Sequence, residues 1–397
     1  MTIVNVLEPI YKKYPDYKGI VIVPNKDLVK QWSDQISHLP YKVVTVQSLI
    51  RKPEEQWDFI IYDEIHKYFG KKFSNVLRYK ARWKLGLSGS LNYKAKELLK
   101  LYNLPVVDTI TLKESVKNGW NNQYKEYNLR VPLSLSDSQY LNKRDNDYYK
   151  YLSILSGGKD LDYSIIKKIT YKRLLRYKTR DGNIVTYRSG NKKGQPVPIW
   201  EYPYAQEIAD RLGRSTKEVI LMALKASAII RDRKKFFYNY QGKIPIVKSI
   251  IDRFSDRKII GFTMEQDFCN RMANYCGVPS YHGGLSKSIR NNIMSQFKSQ
   301  DTGALLACLA INEGVDIPNL DVCINISYFS TSASNMQRLG RSVRKNMRGK
   351  DSIIINLVTV YHPSINSKTV EEKWLRKFQD ELDSSAHYID DIDDIII

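Results

Sequence analysis

Four cysteines in 397 residues (Cys269, Cys276, Cys308 and Cys323) stand in apolar surroundings without metal-ligand spacing. A zinc ribbon and a disulfide framework are thereby excluded. Buried thiols in a reducing, intracellular compartment, cytoplasmic or nucleoid-associated, are expected. Apolar runs never approach the roughly 18 residues of a membrane span, and the first 30 residues carry no signal-peptide pattern. The phosphate-cradling pattern G-x-x-x-x-G-K-[ST] occurs nowhere. Acids are scarce: 42 Asp and Glu against 63 Lys and Arg, a formal balance of +21. Seven of those acids crowd into residues 379–397, which hold no Lys or Arg, so the rest of the chain carries +28. A field of that sign favours a polyanion, nucleic acid first. A Lys-rich proteome gives the same excess without function. No helix with a clean Leu/Trp face opposite Lys/Arg is found, so membrane is set aside as a partner.

What is present is a globular composition, 42% apolar and 26% charged, on a chain long enough for two domains. Ile3, Val6, Leu7, Ile10 and Tyr14 recur at helical spacing, so a helix is expected from residue 1 onward. Strands follow at 20–23, 42–46, 59–62 and 84–87, alternating with helices, the rhythm of a helix-covered parallel sheet. It returns with strands at 259–262, 279–282, 304–309, 322–326 and 352–358. The expected divisions are 1–133 for the first sheet domain and 134–240 for a basic, mainly helical insert, then 241–362 for the second sheet domain and 363–397 for a C-terminal helix and acidic tail.

Within the insert, residues 159–200 set eleven Lys and Arg against three Asp and interleave them with tyrosines. That pattern grips phosphates and stacks on bases; a solvated helical insert fits it as well. Residues 181–200 read as a hairpin or ordered loop. From Gln206 to Leu224 the spacing is that of a helix-turn-helix: Ile208, Ala209 and Leu212, a turn at Gly213, then Val219 and Leu221. Two helices packing a lid would show the same pattern. The closing IDDIDDIII reads as a flexible tail whose acids compete with nucleic acid for the basic face.

The chemistry concentrates in WDFIIYDEIHKY, residues 57–68, where the apolar run from Phe59 to Tyr62 ends in Asp63, Glu64, Ile65 and His66. Parallel sheets present polar groups at the carboxyl ends of their strands. An acidic pair there suits Mg²⁺ held together with phosphates, one carboxylate near the metal and its neighbour taking a proton from water. A solvated strand end is the bland alternative. In QRLGRSVR, residues 337–344, Arg341 and Arg344 share a helical face, as charge neutralisation of a transferring phosphoryl requires. A solvated basic helix is the competing reading. Asn25 is placed to cap the helix after the first strand, whose first-turn amides suit a backbone phosphate.

These motifs, in this order, resemble the superfamily 2 helicases and translocases of DExH type. They lie nearest the branch of phage recombination-type helicases, excision-repair translocases and restriction-enzyme motors. The resemblance covers 1–133 and 230–360. It implies an α/β fold of two RecA-like domains and an ATP-dependent DNA helicase or translocase, with ATP and Mg²⁺ as cofactors and DNA favoured over RNA. VIVPNKDLVKQW and VVTVQSL resemble the strand-contacting motifs of the first domain, implying Pro24, Asn25, Gln47 and Ser48 on nucleic acid. YDEIH implies Asp63 for Mg²⁺–ATP, Glu64 as the catalytic base and His66 as a coupler. LGLSGSL adds Ser88 and Ser90 as coupling hydroxyls, with Leu91 where proline is usual. In the second domain KIIGFTMEQD and YHGGLSKSIR imply Thr263, His282 and Gly283 on nucleic acid. LLACLAINEGVDIP implies Gly314 and Asp316 near the nucleotide, with Leu309 replacing the usual Thr or Ser. QRLGRSVR implies Gln337 as a nucleotide contact and Arg341 and Arg344 as catalytic γ-phosphate sensors.

The departure that matters most is the missing P-loop, which in this family directly precedes the VIVPNKDLVKQW motif. Thr2 stands where the P-loop Thr or Ser would touch nucleotide and Mg²⁺. The expectation is a motor incomplete as written, and three explanations stand open: a split motor with a separate polypeptide supplying the P-loop, a truncation, or a non-catalytic clamp derived from a helicase.

Overall fold

The structure, a computed structural model, describes residues 4–50, 56–70, 72–89, 91, 93–158, 161, 163–171, 173–175, 195, 199–308, 317–327, 351–382 and 386–396. It begins with α1 (Val4–Lys13), β1 (Gly19–Val23), α2 (Lys26–Gln35), β2 (Lys42–Thr45), α3 (Val46–Leu49), β3 (Trp57–Tyr62), β4 (Ala81–Gly86), α4 (Tyr93–Leu101) and α5 (Leu112–Lys117). The four strands form one sheet in the order β2-β1-β3-β4, every neighbouring pair parallel. Alternation sends Ile20, Ile22, Ile60 and Tyr62 to one face, where Val46, Leu49 and Leu77 cover them. Val21, Val23, Phe59 and Ile61 go to the other, against Leu7, Leu28 and Trp32. Burial on both faces is why these strands read as continuous apolar runs. Gly19 opens β1 because a Cβ there would lie 2.0 Å from the Phe59 ring.

The chain continues through β5 (Tyr124–Pro132) into α6 (Leu135–Ser156), α7 (Ile165–Thr170), β6 (Arg173–Leu175), β7 (Ile199–Glu201), α8 (Pro203–Leu212) and α9 (Thr216–Tyr238). Pro132–Gln241 and Thr359–Thr369 make one compact unit. Its helices are set by local signals. Ser134 accepts the Asp137 amide at the start of α6, and Gly157, at φ 82°, closes it in the left-handed region. Tyr148, Leu152, Ile169, Ala209, Val219 and Ala226 build its core. A buried ion pair, Arg233 to Asp145 at 2.6 Å, crosses that core, and the Tyr361 hydroxyl donates to the second Asp145 oxygen at 3.1 Å. Strands β6 and β7 pair antiparallel with Leu174 opposite Trp200. Apart from Gln195, the stretch between them lies outside the described residues.

The second sheet is built from α10 (Lys243–Arg253), β8 (Lys258–Thr263), α11 (Gln266–Cys276), β9 (Ser280–His282), α12 (Lys287–Ser299), β10 (Gly303–Cys308), β11 (Val322–Asn325), β12 (Ser352–Val360), α13 (Val370–Leu382) and β13 (His387–Ile389). Its order is β13-β5-β12-β11-β8-β10-β9, so β5 joins it although it precedes the helical unit in the chain. The acidic end, expected as a flexible tail, supplies β13, parallel to β5 with His387 opposite Tyr127. The reason is its alternation. Ile389 and Ile395 are buried, while Asp390 pairs with Arg130 at 2.8 Å and Asp393 pairs with Arg253. The fold is therefore α/β, two parallel-sheet RecA-like domains with a mainly helical region between them. No helix among the described residues is long and apolar enough to cross a membrane.

One charged contact in the second domain lies wholly in the interior. Lys243 Nζ donates to both Glu371 carboxylate oxygens, at 2.8 and 2.9 Å, and to the Ile326 carbonyl at 2.9 Å, with both side chains fully buried. Burial pushes the lysine below its ordinary range, and the Glu371 carboxylate opposes that shift. Removing one partner leaves the other charge buried and uncompensated. Lys243→Met is expected to destabilise the fold by about 3–5 kcal/mol, and adding Glu371→Leu to restore most of the loss. Urea unfolding followed by circular dichroism checks both.

Candidate nucleotide and nucleic-acid site

In the first sheet parallel pairing brings the carboxyl ends of all four strands to one edge, and each carries a segment singled out in the sequence. Pro24 and Asn25 follow β1. Asn25 Oδ1 accepts the Leu28 amide at 2.9 Å, which caps α2 as expected. After β2, Gln47 Nε2 donates to the Pro24 carbonyl at 3.1 Å, and Ser48 donates through its amide to Thr45 Oγ1 and through its hydroxyl to the Thr45 carbonyl. Asp63 and Glu64 follow β3, and Ser88 follows β4. The hydrogen bonds of the β3–β4 pair run on past both strands: Leu87 N donates to the Tyr62 carbonyl at 2.8 Å and Ile65 N to the Leu87 carbonyl at 2.9 Å. This places the acidic turn beside Ser88.

Two aromatic donors that the sequence did not reveal hold Asp63. Trp32 Nε1 donates to Asp63 Oδ2 at 2.9 Å. The buried Tyr68 hydroxyl lies 2.9 Å from the Asp63 carbonyl and 3.1 Å from that of Ile22. Partial burial raises the Asp63 carboxyl above its ordinary range, against the lowering effect of the Trp32 bond and of Lys67. Glu64 sits in the left-handed region at φ 50°, ψ 49°, a conformation that costs a non-glycine residue about 1–3 kcal/mol. Strain of this kind accumulates at functional sites. His66 Nδ1 lies 2.9 Å from Ser88 Oγ and 3.3 Å from Glu64 Oε2. Burial and the neighbouring Lys67 lower the His66 imidazole below its ordinary value, which keeps it neutral near pH 7. Gly86 leaves room for this turn, because a Cβ there would come within 2.5 Å of Ile65 Cδ1.

No cluster of three or more His, Cys, Asp or Glu suited to a metal stands among the described residues. Magnesium carried on a nucleotide needs only one or two protein carboxylates beside its phosphates and waters. Asp63 fits that demand: a cation beside it would return its carboxyl toward the ordinary range.

In the second sheet Thr263 ends β8 with its buried hydroxyl 3.5 Å from the Ala307 carbonyl. His282 is also buried. Its Nε2 lies 3.0 Å from Asn270 Oδ1, and its Nδ1 accepts the Gly284 amide at 3.2 Å. Gly283 is exposed with no atom near its α-carbon side. Thr2, Ser90, Gly314, Asp316, Gln337, Arg341 and Arg344 lie outside the described residues.

Residues 242–346 match the helicase conserved C-terminal domain. The chain is 21% identical over 361 residues to the DNA 3'-5' translocase XPB2 of Sulfurisphaera tokodaii, covering 86% of this chain and 72% of that protein. Over 100 residues it is 34% identical to the ATP-dependent RNA helicase DBP3 of Candida albicans, covering 24% of this chain and 18% of that protein. Among solved structures, Saccharomyces cerevisiae Dbp5 bound to Gle1 and IP6 covers 95% of this chain and 77% of its own, with a TM-score of 0.50 at 11% identity. Mss116p bound to single-stranded RNA and AMP-PNP covers 98% and 68%, with the same TM-score of 0.50 at 14% identity. The chain has a superfamily 2 helicase-like fold. Its likenesses spread over several branches of that superfamily, and no Walker A motif accompanies them.

The raised Asp63 carboxyl has a stability consequence with a definite sign. A folded-state value above the unfolded one contributes stability below the unfolded value, about pH 3.9, and that contribution is lost as pH rises through the folded value. Asp63→Asn, which keeps an oxygen for the Trp32 indole, is therefore expected to raise the melting temperature at pH 7 and to leave it unchanged near pH 3.5. Thermal melts of both chains at the two pH values check this.

Proposed function

We propose that this chain is an ATP-dependent nucleic-acid motor of helicase or translocase type, acting on DNA, whose phosphate cradle is supplied by a further segment. The observation that carries the reading is the strained Asp63–Glu64 turn at the carboxyl end of β3, bonded through His66 to Ser88 at the end of the adjoining strand. Phosphoryl transfer relies on positioning and charge neutralisation rather than covalent chemistry. In this reading Asp63 holds the metal, Glu64 orients the attacking water and accepts its proton, and His66 with Ser88 couples the turn to the neighbouring strand. Bound magnesium would neutralise part of the phosphate charge. Arg341 and Arg344 meet the charge that develops in the transition state, Gln337, Gly314 and Asp316 line the nucleotide, and Thr2 follows the cradle. DNA is proposed over RNA because a relative that aligns over 86% of the chain is named a DNA translocase.

The first sheet also supports addition of a strand. Among the described residues β4 pairs with β3 alone, and Trp83 on it is 60% exposed. An open edge of that kind accepts another strand through its unpaired backbone groups. A separate polypeptide or a preceding segment carrying strand, Gly-rich turn and lysine would place the missing amide donors beside Asp63. The second reading, a clamp that binds nucleic acid without turnover, is favoured by the absence of the G-x-x-x-x-G-K-[ST] pattern from these residues.

Phosphate release separates the two readings. The chain alone is expected to hydrolyse ATP negligibly, and an upstream segment ending in Gly-Lys, joined directly to Thr2, to restore DNA-stimulated turnover. In the restored protein Glu64→Gln is expected to abolish turnover while sparing nucleotide binding. A restored protein that stays inactive moves the assignment to the clamp. Robust turnover by the unextended chain, lost in Glu64→Gln, would mean that other residues cradle the phosphates.

Binding has its own test. The +28 body is expected to hold single-stranded or forked DNA with an affinity that falls steeply between about 50 and 200 mM salt, because condensed counterions are released. A flat salt response in a fluorescence-anisotropy titration removes the nucleic-acid reading.

A further inference from the structure

We propose that α8, the Gly213–Ser215 turn and α9 form a helix-turn-helix that seats the amino-terminal half of α9 in the major groove of double-stranded DNA. The site belongs to the helical unit, and the strand ends of the motor reading belong to the other compact unit.

The geometry of the pair is fixed by its own residues. α8 ends on Gly213 at φ 60°, ψ 36°, and the Arg214 amide returns to the Ala209 carbonyl at 3.0 Å. That left-handed stop suits glycine and turns the chain within three residues. Ser215 then caps α9 in a capping box, with the Glu218 carboxylate reaching back to the Ser215 amide at 2.9 Å and to its hydroxyl at 2.7 Å. Thr216 Oγ1 donates to Gln206 Oε1 at 2.6 Å, which ties the start of α9 to α8. Behind the turn, Ala205, Ile208 and Ala209 of α8 are buried in one core with Val219, Ala223 and Ala226 of α9.

The buried positions of α9 leave a continuous outward stripe. Lys217, Leu221, Leu224, Arg231 and Lys235 follow one another at three-, four- and seven-residue steps, with Lys225 at the margin. Leu221 is 49% exposed and Leu224 51%. Exposed Asp232 borders the stripe, between Arg231 and Lys235. The two acids of α9 are engaged elsewhere, Glu218 in the capping box and Asp232 with Arg144 at 2.9 Å. Arg214 adds an exposed cation at the turn, while the Arg211 guanidinium donates to the Leu155 carbonyl. On α8, Glu207 is exposed, and Asp210 accepts a bond from Gln206 at 2.7 Å.

Cations that outnumber the acids beside them, flanking two exposed leucines, fit a polyanion that also offers apolar groups. The major groove of B-DNA is that surface: phosphates on both rims and thymine methyls on the floor. Its width of about 12 Å admits one helix, whereas the deep, narrow groove of duplex RNA does not. Lys217 and Leu221, one turn apart near the start of α9, are the residues set to reach the groove, and Arg231 and Lys235 lie where a phosphate rim would run.

The experiment uses the full chain and three labelled oligonucleotides in anisotropy titrations at fixed salt: a short blunt DNA duplex, the same duplex as RNA, and one of its DNA strands alone. Lys217→Glu combined with Leu221→Gln changes exposed positions only, so thermal melts should match the parent. The expected result is preference of the parent for duplex DNA over duplex RNA. The double variant should lose about tenfold or more on duplex DNA and less than about twofold on the single strand. Lys217→Arg combined with Leu221→Met should keep parental binding. Equal losses on duplex and single strand overturn the proposal by reducing the stripe to general electrostatics. Undiminished duplex binding overturns it too, and a shifted sedimentation coefficient in that case reassigns the face to self-association. A parent that binds the DNA and RNA duplexes alike also overturns it. Because no arm involves ATP, the motor reading stands or falls independently.

Discussion

The acidic turn after β3 depends on two buried aromatic donors. Without the Trp32 indole at 2.9 Å, the half-buried Asp63 carboxylate would face burial with little compensation. A hydrogen bond to a charged group contributes about 1.5–3 kcal/mol, enough to offset much of that penalty. Tyr68 does the same for the backbone. Its hydroxyl spans the carbonyls of Ile22 and Asp63, one on β1 and one just past β3, so the exit of the central strand is tied to its neighbour. Everything at the strand ends takes its position from that knot: the left-handed Glu64, the His66–Ser88 contact, and the space beneath Gly86.

In the second sheet the equivalent constraint is a buried polar ladder. Asn325 Nδ2 donates to Asn356 Oδ1 at 2.9 Å, and Asn356 Nδ2 reaches Glu126 Oε1 at 2.7 Å and Asn128 Oδ1 at 2.8 Å. Gln379 on α13 closes it, with bonds of 2.9 to 3.1 Å to Glu126 and Asn128. The ladder runs through three adjacent strands, β11, β12 and β5. A slip of one residue in β12 would turn Asn356 to the opposite face and leave Glu126 and Asn128 buried without it. The ladder thus selects β5 as the partner of β12 across more than two hundred residues of chain. It also gives α13 a docking site, and β13 can then pair on the far side of β5.

Strands β1 and β3 of the first sheet were legible because both of their faces are buried, which leaves an unbroken apolar signature. Their carboxyl ends were legible as well: the segments expected after β1, β2, β3 and β4 all stand on one edge. What could not be read were contacts whose partners share no spacing. Trp32 looked like one more apolar residue of α2, and nothing in the interval to Asp63 announced its indole. β5 was obscured by its own polarity, since Glu126 and Asn128 look solvated until Asn356 and Gln379 are known to face them. The acidic end failed for a similar reason. Alternating Asp and Ile suggested a soluble tail, whereas burial of Ile389 and Ile395 with arginine partners for Asp390 and Asp393 makes it an edge strand. For His282 the strand-end position was right, and its inward, Asn270-bonded orientation was invisible. The two helices and the turn at Gly213 were readable from spacing, and the left-handed Gly213 and the capping box of α9 show how the turn is made.

The electrostatics of the strand-end site then acquire a direction. Burial raises Asp63 and lowers His66, so both are pushed toward their neutral forms, in a chain that is strongly basic elsewhere. Glu64 adds backbone strain at the same turn. Each penalty is small beside the stability of a domain, yet all fall within four residues, and none is relieved by rearranging the core, because Trp32, Tyr68 and the Leu87 carbonyl fix the turn. Relief has to come from outside the protein. A ligand that brings positive charge to Asp63 would recover the free energy withheld by its desolvation, and by linkage that recovered energy adds to the ligand's affinity. In the motor reading proposed above, a rigid scaffold that holds a carboxylate in an environment unfavourable to its charge would be preorganised for a cation borne on phosphates.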